Sequence, residues 1–168
     1  MQRRGLLALG AVSAAVLVVG GGSLALLQPG LQDARLSQAG REVFTGVGRA
    51  LLDGSLPSDP VALNRALDGL LGRIDAVVSS LPPHAQSELS QLLAILSSAG
   101  GRRMLAGLAT PWASASVADI QQALQAMRVS GVTLRQQAYQ ALHDIVGGAY
   151  FSDAQTWSLL GYPGPRKV

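Results

Sequence analysis

The sequence predicts an all-α protein: an irregular bundle of about five or six helices behind an N-terminal signal or anchor helix, ending in an aromatic, Gly/Pro-rich tail. Three observations predict it. From Asp33 onward apolar residues recur at spacings of three and four, and no stretch alternates with period two. Proline and glycine punctuate that pattern at intervals of one helix length. The 168 residues contain no cysteine, which leaves no disulfide, thiolate metal site or thiol nucleophile on which to build another kind of small domain. The chain divides into residues 1–32 (signal or anchor), 33–148 (bundle) and 149–168 (tail).

The first segment places Arg3 and Arg4 before an uncharged run from Gly5 to Gln32, whose apolar part, Leu6 to Leu27, is long enough to cross a bilayer. The arginine pair followed by Gly5, Leu6 and Leu7 resembles a twin-arginine signal, with Gly10 and Gly20 to Gly22 keeping the hydrophobicity moderate. Gln2 and Leu6 depart from that pattern, and an ordinary signal anchor obeying the positive-inside rule is the alternative. Ser23 and Ala25 offer a small-x-small cleavage site, whereas Leu26 and Leu27 suit retention as an anchor.

The first bundle helix is expected from about Ser37 to Gly54, with Val43, Val47, Ala50 and Leu51 on one face. Asp59 before Pro60 signals the second start, because Asp accepts orphan amides and Pro suits the first helical position. Leu63, Leu67, Leu70, Ile74, Val77 and Leu81 then form an apolar stripe. Pro82 and Pro83 introduce a third helix, Ala85 to Ser98, closed by Gly100 and Gly101, with His84 in a structural or capping role at its first turn. A short helix with Met104, Leu105 and Leu108 follows, its Arg102 and Arg103 read as solvated, and Trp112 is read as a lid on the core. Ser116 and Asp119 form a capping-box-like pair before Ile120, Leu124 and Met127. Thr133 caps the last long helix, which carries Leu134, Ala138, Leu142, Ile145 and Val146 and is closed by Gly147 and Gly148. Tyr139 and His143, four apart, are placed to stack or hydrogen-bond, with His143 read as buried and satisfied.

In a chain only 4% aromatic, the tail gathers Tyr150, Phe151, Trp157 and Tyr162. Asp153 can cap one turn through Trp157 and Leu160, and Gly161, Pro163 and Pro165 forbid regular continuation. The tail therefore reads as a fixed aromatic hook outside the helix. Packing of these rings on their own domain, above all Trp157, is one use; seating Tyr162 and the Gly-Tyr-Pro-Gly-Pro run against another protein is the other, since rigid aromatic anchors lose little entropy on binding.

Charged residues make up 14% of the chain, a sparse surface that suits life against a partner or a membrane. The net charge of +3 does not point to nucleic acid. Arg35, Arg41, Arg49, Arg65 and Arg73 alternate with Glu42, Asp53, Asp68 and Asp75, a solvated helix face and not a basic stripe. Two histidines are too few for a metal centre of their own. There is no phosphate loop, HExxH, CxxCH or GxSxG, and the carboxylates are scattered, so no catalytic, cofactor-binding or metal residues are assigned.

The arginine pair, the small helical domain and the tail AYFSDAQTWSLLGYPGP together resemble the gluconate 2-dehydrogenase subunit 3 family, the small subunits of bacterial membrane-bound, FAD-dependent sugar and alcohol dehydrogenases. The specific part is the tail: Ala149, Tyr150, Phe151, Trp157, Gly161, Tyr162, Pro163, Gly164 and Pro165. Leu52 with Pro57, the Leu81-Pro82-Pro83 break, Trp112 and the Arg128 region follow the family layout more loosely, and Phe151 stands where the family usually has Tyr. The resemblance implies a non-catalytic subunit, without cofactor of its own, bound to a large flavoprotein of the glucose-methanol-choline type that carries FAD. A cytochrome c subunit is a further partner, and the inner membrane is engaged through the N-terminal segment. It implies a periplasmic location, with Arg3 and Arg4 exporting the folded partner as a hitch-hiker, and Tyr150, Phe151, Trp157, Tyr162, Pro163, Gly164 and Pro165 as partner contacts. A membrane-anchored periplasmic helical scaffold with no enzyme partner is the alternative; a small enzyme using His84 or His143 ranks below both.

Overall fold

A computed structural model describes residues 28–161. The apolar run Leu6–Leu27, the Arg3–Arg4 pair and the segment Tyr162 to Val168 lie outside the described residues. No helix among the described residues is long and apolar enough to cross a membrane.

The described chain is a bundle of six α-helices: α1 (Gln38–Leu51), α2 (Pro60–Ser79), α3 (Pro83–Ser97), the single turn α4 (Ala99–Gly101), α5 (Val117–Arg128) and α6 (Thr133–Phe151). A π-helical turn, Arg102–Ala106, continues α4, and a 3₁₀ turn, Ala154–Leu160, follows α6. Start signals act as the side-chain chemistry requires. Ser37 accepts from Gly40 N, Asp59 from Ala62 N, and Ser116 from Asp119 N while its own hydroxyl donates to Asp119 Oδ2 at 2.7 Å. Val132, not Thr133, occupies the cap position of α6, without a side-chain bond.

Helix α1 lies at the centre, packed against α2, α3, α5 and α6. Val43, Phe44 and Val47 have no exposed surface, and Leu70, Ile74, Leu92, Leu93, Leu96, Ile120, Met127 and Leu142 close around them. Close approach is possible because α1 carries glycine on its packed faces. A Cβ at Gly46 would press on Trp112 and Ile120, and one at Gly48 would stand 2.8 Å from Leu70 Cδ2. Trp112 is more than a lid: it is 3% exposed and its Nε1 donates to Leu96 O at 2.7 Å, which ties the loop before α5 to α3.

Several expectations are corrected. Two short strands, β1 (Leu31–Gln32) and β2 (Arg35–Leu36), pair antiparallel with Leu31 opposite Leu36. Asp33 and Ala34 turn between them with φ of 51° and 57°, the two positive values that a tight two-residue hairpin demands. Two residues per strand are too few to show alternation. Gly100 and Gly101 do not end the helical path, since Ser98 recaps it and the chain continues through α4 into the π turn. Arg102 is not solvated. It is 6% exposed, with Nη1 donating to Ser97 O at 3.4 Å and Nη2 to Ala109 O at 3.3 Å, so its cation faces the carbonyl end of α3. The alternating charges of α1 and α2 are not one solvated face either. Arg41 Nη2 pairs with Asp75 Oδ2 at 2.6 Å, while Asp75 Oδ1 accepts from Leu36 N and so binds the hairpin to α2.

Glycine substitutions should separate contact from propensity. Gly72, exposed on α2 with open space around it, should gain about 0.5–1 kcal/mol on Gly72→Ala. Gly40→Ala would drive a methyl group into the Gly30 carbonyl oxygen and should lose about 1–3 kcal/mol. Chemical denaturation of the two variants checks this; midpoints shifted in the same direction would contradict the packing.

Candidate functional site

Helix α6 does not close at Gly147 and Gly148; it runs on to Phe151 and takes the first aromatic residues of the tail with it. Two glycines cost a helix roughly 2 kcal/mol together relative to alanine. Burial of Ala149 (0% exposed) and Tyr150 (7%) offsets this, because a buried aromatic side chain contributes a similar amount. Tyr150 is also tethered at its far end, its hydroxyl donating to Ser55 O at 3.3 Å.

Arg73 of α2 fixes the point where the helix ends. Its Nε donates to Ala149 O at 2.9 Å and its Nη1 pairs with Asp153 Oδ2 at 3.2 Å. One guanidinium thus caps a C-terminal carbonyl, where positive charge is favoured, and holds the residue that starts the next turn. Asp153 Oδ1 accepts from Gln155 N, as its expected capping role requires. Thr156, 8% exposed, donates its hydroxyl to Tyr150 O and Asp153 O, and Trp157 Nε1 donates to Phe151 O at 2.8 Å. The turn 154–160 is folded back on the end of α6.

The result is an aromatic corner with one ring in and one ring out. Tyr150 is buried; Phe151, 41% exposed, meets it edge to face with centroids 5.2 Å apart at 78°. Beside them a cleft of about 210 Å³ opens between α1 and α6, lined among others by Leu51, Leu52, Val146 and Phe151, with Ser55 and His143 as polar groups. His143 is not buried as expected. Its side chain is 50% exposed, its ring stacks on Tyr139 at 5.6 Å, and Nδ1 lies 3.1 Å from Asp144 Oδ1.

Of the residues assigned to partner contact, Tyr150, Phe151 and Trp157 come together here, with Tyr150 turned inward and its hydroxyl spent on the Ser55 carbonyl. Tyr162, Pro163, Gly164 and Pro165 lie outside the described residues, as do Arg3 and Arg4. Sequence reasoning missed Arg73, eighty positions from Asp153, and the α1 wall of the cleft; no local pattern links them. Among the described residues no group of three or more His, Asp or Glu is gathered to hold a metal ion. No protein-family model, curated protein or solved structure matches this chain.

Arg73→Gln should release the corner without unfolding the bundle. The loss is about 1 kcal/mol for a partly exposed charged pair and its carbonyl bond. Hydrogen exchange should accelerate over residues 150–157 and stay unchanged in α1; uniform acceleration, or none, would contradict the clamp.

Proposed function

We propose that this chain is a non-catalytic small subunit that binds a large FAD-dependent dehydrogenase of the glucose-methanol-choline type, supports its maturation and stability, and carries it across the inner membrane by the twin-arginine route. The observation that supports this most is the aromatic corner. Phe151 is held exposed beside an apolar cleft by a backbone that Arg73, Asp153, Thr156 and Trp157 have already ordered. A surface ordered before contact loses little further entropy on binding, and exposed rings over a pocket are what interface hot spots are made of. The corner coincides with the part of the sequence that resembles the subunit 3 family, and the sparse charge of the chain suits a covered surface. In this reading the chemistry belongs to the partner's flavin, and electrons leave through a cytochrome c subunit or quinone; Arg3 and Arg4 supply the address and the corner supplies the grip.

Phe151→Asp separates the two. The variant should still be exported, while dye-linked dehydrogenase activity in the periplasmic fraction falls about tenfold or more. Arg3→Lys with Arg4→Lys should strand both chains in the cytoplasm. Undiminished periplasmic dehydrogenase in both variants would reject the proposal.

A further inference from the structure

At the other end of α6, about 28 Å from the aromatic corner by helical rise, the surface has a different character. Met104 is 69% exposed, Val129 65% and Val132 55%, three of the five large apolar side chains that stand out among the described residues. They are brought together by Arg135. Its Nε donates to Leu105 O at 2.8 Å, next to Met104, and its backbone N donates to Val132 O. Val129 closes α5 one turn away. Arg103 and Arg128, the chain neighbours of Met104 and Val129, are exposed as well.

Charge is as uneven as hydrophobicity. Between residues 89 and 143 the sequence carries Arg102, Arg103, Arg128 and Arg135 against one acid, Asp119. Asp119 already accepts from Ser116 and lies nine residues back along α5 from Arg128, about 14 Å by helical rise. Among the described residues neither Arg103 nor Arg128 pairs with a carboxylate; Arg128 Nε donates to Gln125 Oε1.

The position of Gln28 gives this face a direction. Gln28 lines a cleft of about 260 Å³ with Ala94, Ser97 and Ser98 at the end of α3. Ser97 O accepts from Arg102, and Arg103 and Met104 follow directly. The apolar run Leu6–Leu27, long enough to cross a bilayer, joins the domain at Gln28, against the end of α3 from which the chain runs on to Arg103 and Met104.

We infer that the face formed by Met104, Val129 and Val132 with Arg103, Arg128 and Arg135 rests on an anionic phospholipid surface. The apolar side chains enter the headgroup boundary and the guanidinium groups meet lipid phosphates. The inference is independent of the flavoprotein reading. It leaves the aromatic corner at the far end of α6, turned away from the lipid.

The native absence of cysteine allows a direct test. The full chain, reconstituted in vesicles, carries an environment-sensitive fluorophore either through Met104→Cys or, as the far-end control, through Ala154→Cys. In equimolar phosphatidylcholine and phosphatidylglycerol, lipid-borne spin labels should quench position 104 severalfold more than position 154. Phosphatidylcholine alone, or high salt, should remove most of that difference. Arg103→Gln with Arg128→Gln should weaken the contact about tenfold, and the salt titration of the labelled parent gives a reading that does not depend on those variants. Equal quenching at both positions, or quenching indifferent to phosphatidylglycerol and salt, would overturn the inference. So would shielding of position 104 only on addition of a protein partner.

Discussion

Helix α1 can touch all the other long helices because glycines open gaps in its packed faces. Gly46 admits Trp112 and Ile120, Gly48 admits Leu70, and Gly40 lets the Gly30 carbonyl of the hairpin come to contact. Around those gaps Val43, Phe44 and Val47 supply the apolar volume. A helix with large residues at those positions would hold its neighbours farther apart, and in a close-packed interior every such displacement is transmitted. With α1 fixed, α2 and α6 are placed so that Arg73 reaches the end of α6, and the loop after α1 so that Ser55 meets the Tyr150 hydroxyl.

From there the path to function is short. Burial of Tyr150 keeps α6 helical past two glycines, and the Arg73 clamp decides where it stops. The Thr156 and Trp157 bonds fold the following turn back, which leaves Phe151 as a ring presented from a rigid end. The grip proposed for a flavoprotein thus rests on elements formed before the partner arrives. The basic, apolar rim proposed to meet lipid lies at the opposite end of the same helix, so the two proposed contacts are separated by the length of α6.

Much of this bundle was legible in the sequence. Helices α2, α3 and α5 follow from leucine and isoleucine at spacings of three and four, and from Asp59-Pro60, Pro82-Pro83 and Ser116 at their starts. What misled was glycine. The pairs at 100–101 and 147–148 read as stops, because helix propensity penalises them by about 1 kcal/mol each. Yet Gly101 is buried against Ile95, and Gly147 and Gly148 precede two buried residues, so tertiary contact outweighs local preference. Arg102 and His143 were assigned to the wrong side of the surface for a related reason. An arginine after Gly-Gly carries no sign that the chain will fold carbonyls on either side of it, those of Ser97 and Ala109, onto its guanidinium, and the helical spacing of His143 does not say that its ring will be half exposed. The aromatic cluster of the tail was visible; Arg73, which orders it, was not, since ion pairs between distant segments leave no local pattern.

The central claim is that this chain acts on another protein and not on a substrate. Affinity purification of the tagged full chain from detergent-solubilised native membranes, with a visible spectrum and mass spectrometry of the eluate, tests it most directly. A large co-purifying chain with flavin absorbance bands is the result this account predicts. Recovery of the chain alone and colourless, from cells that make an active membrane dehydrogenase, would contradict it and leave a plain anchored scaffold.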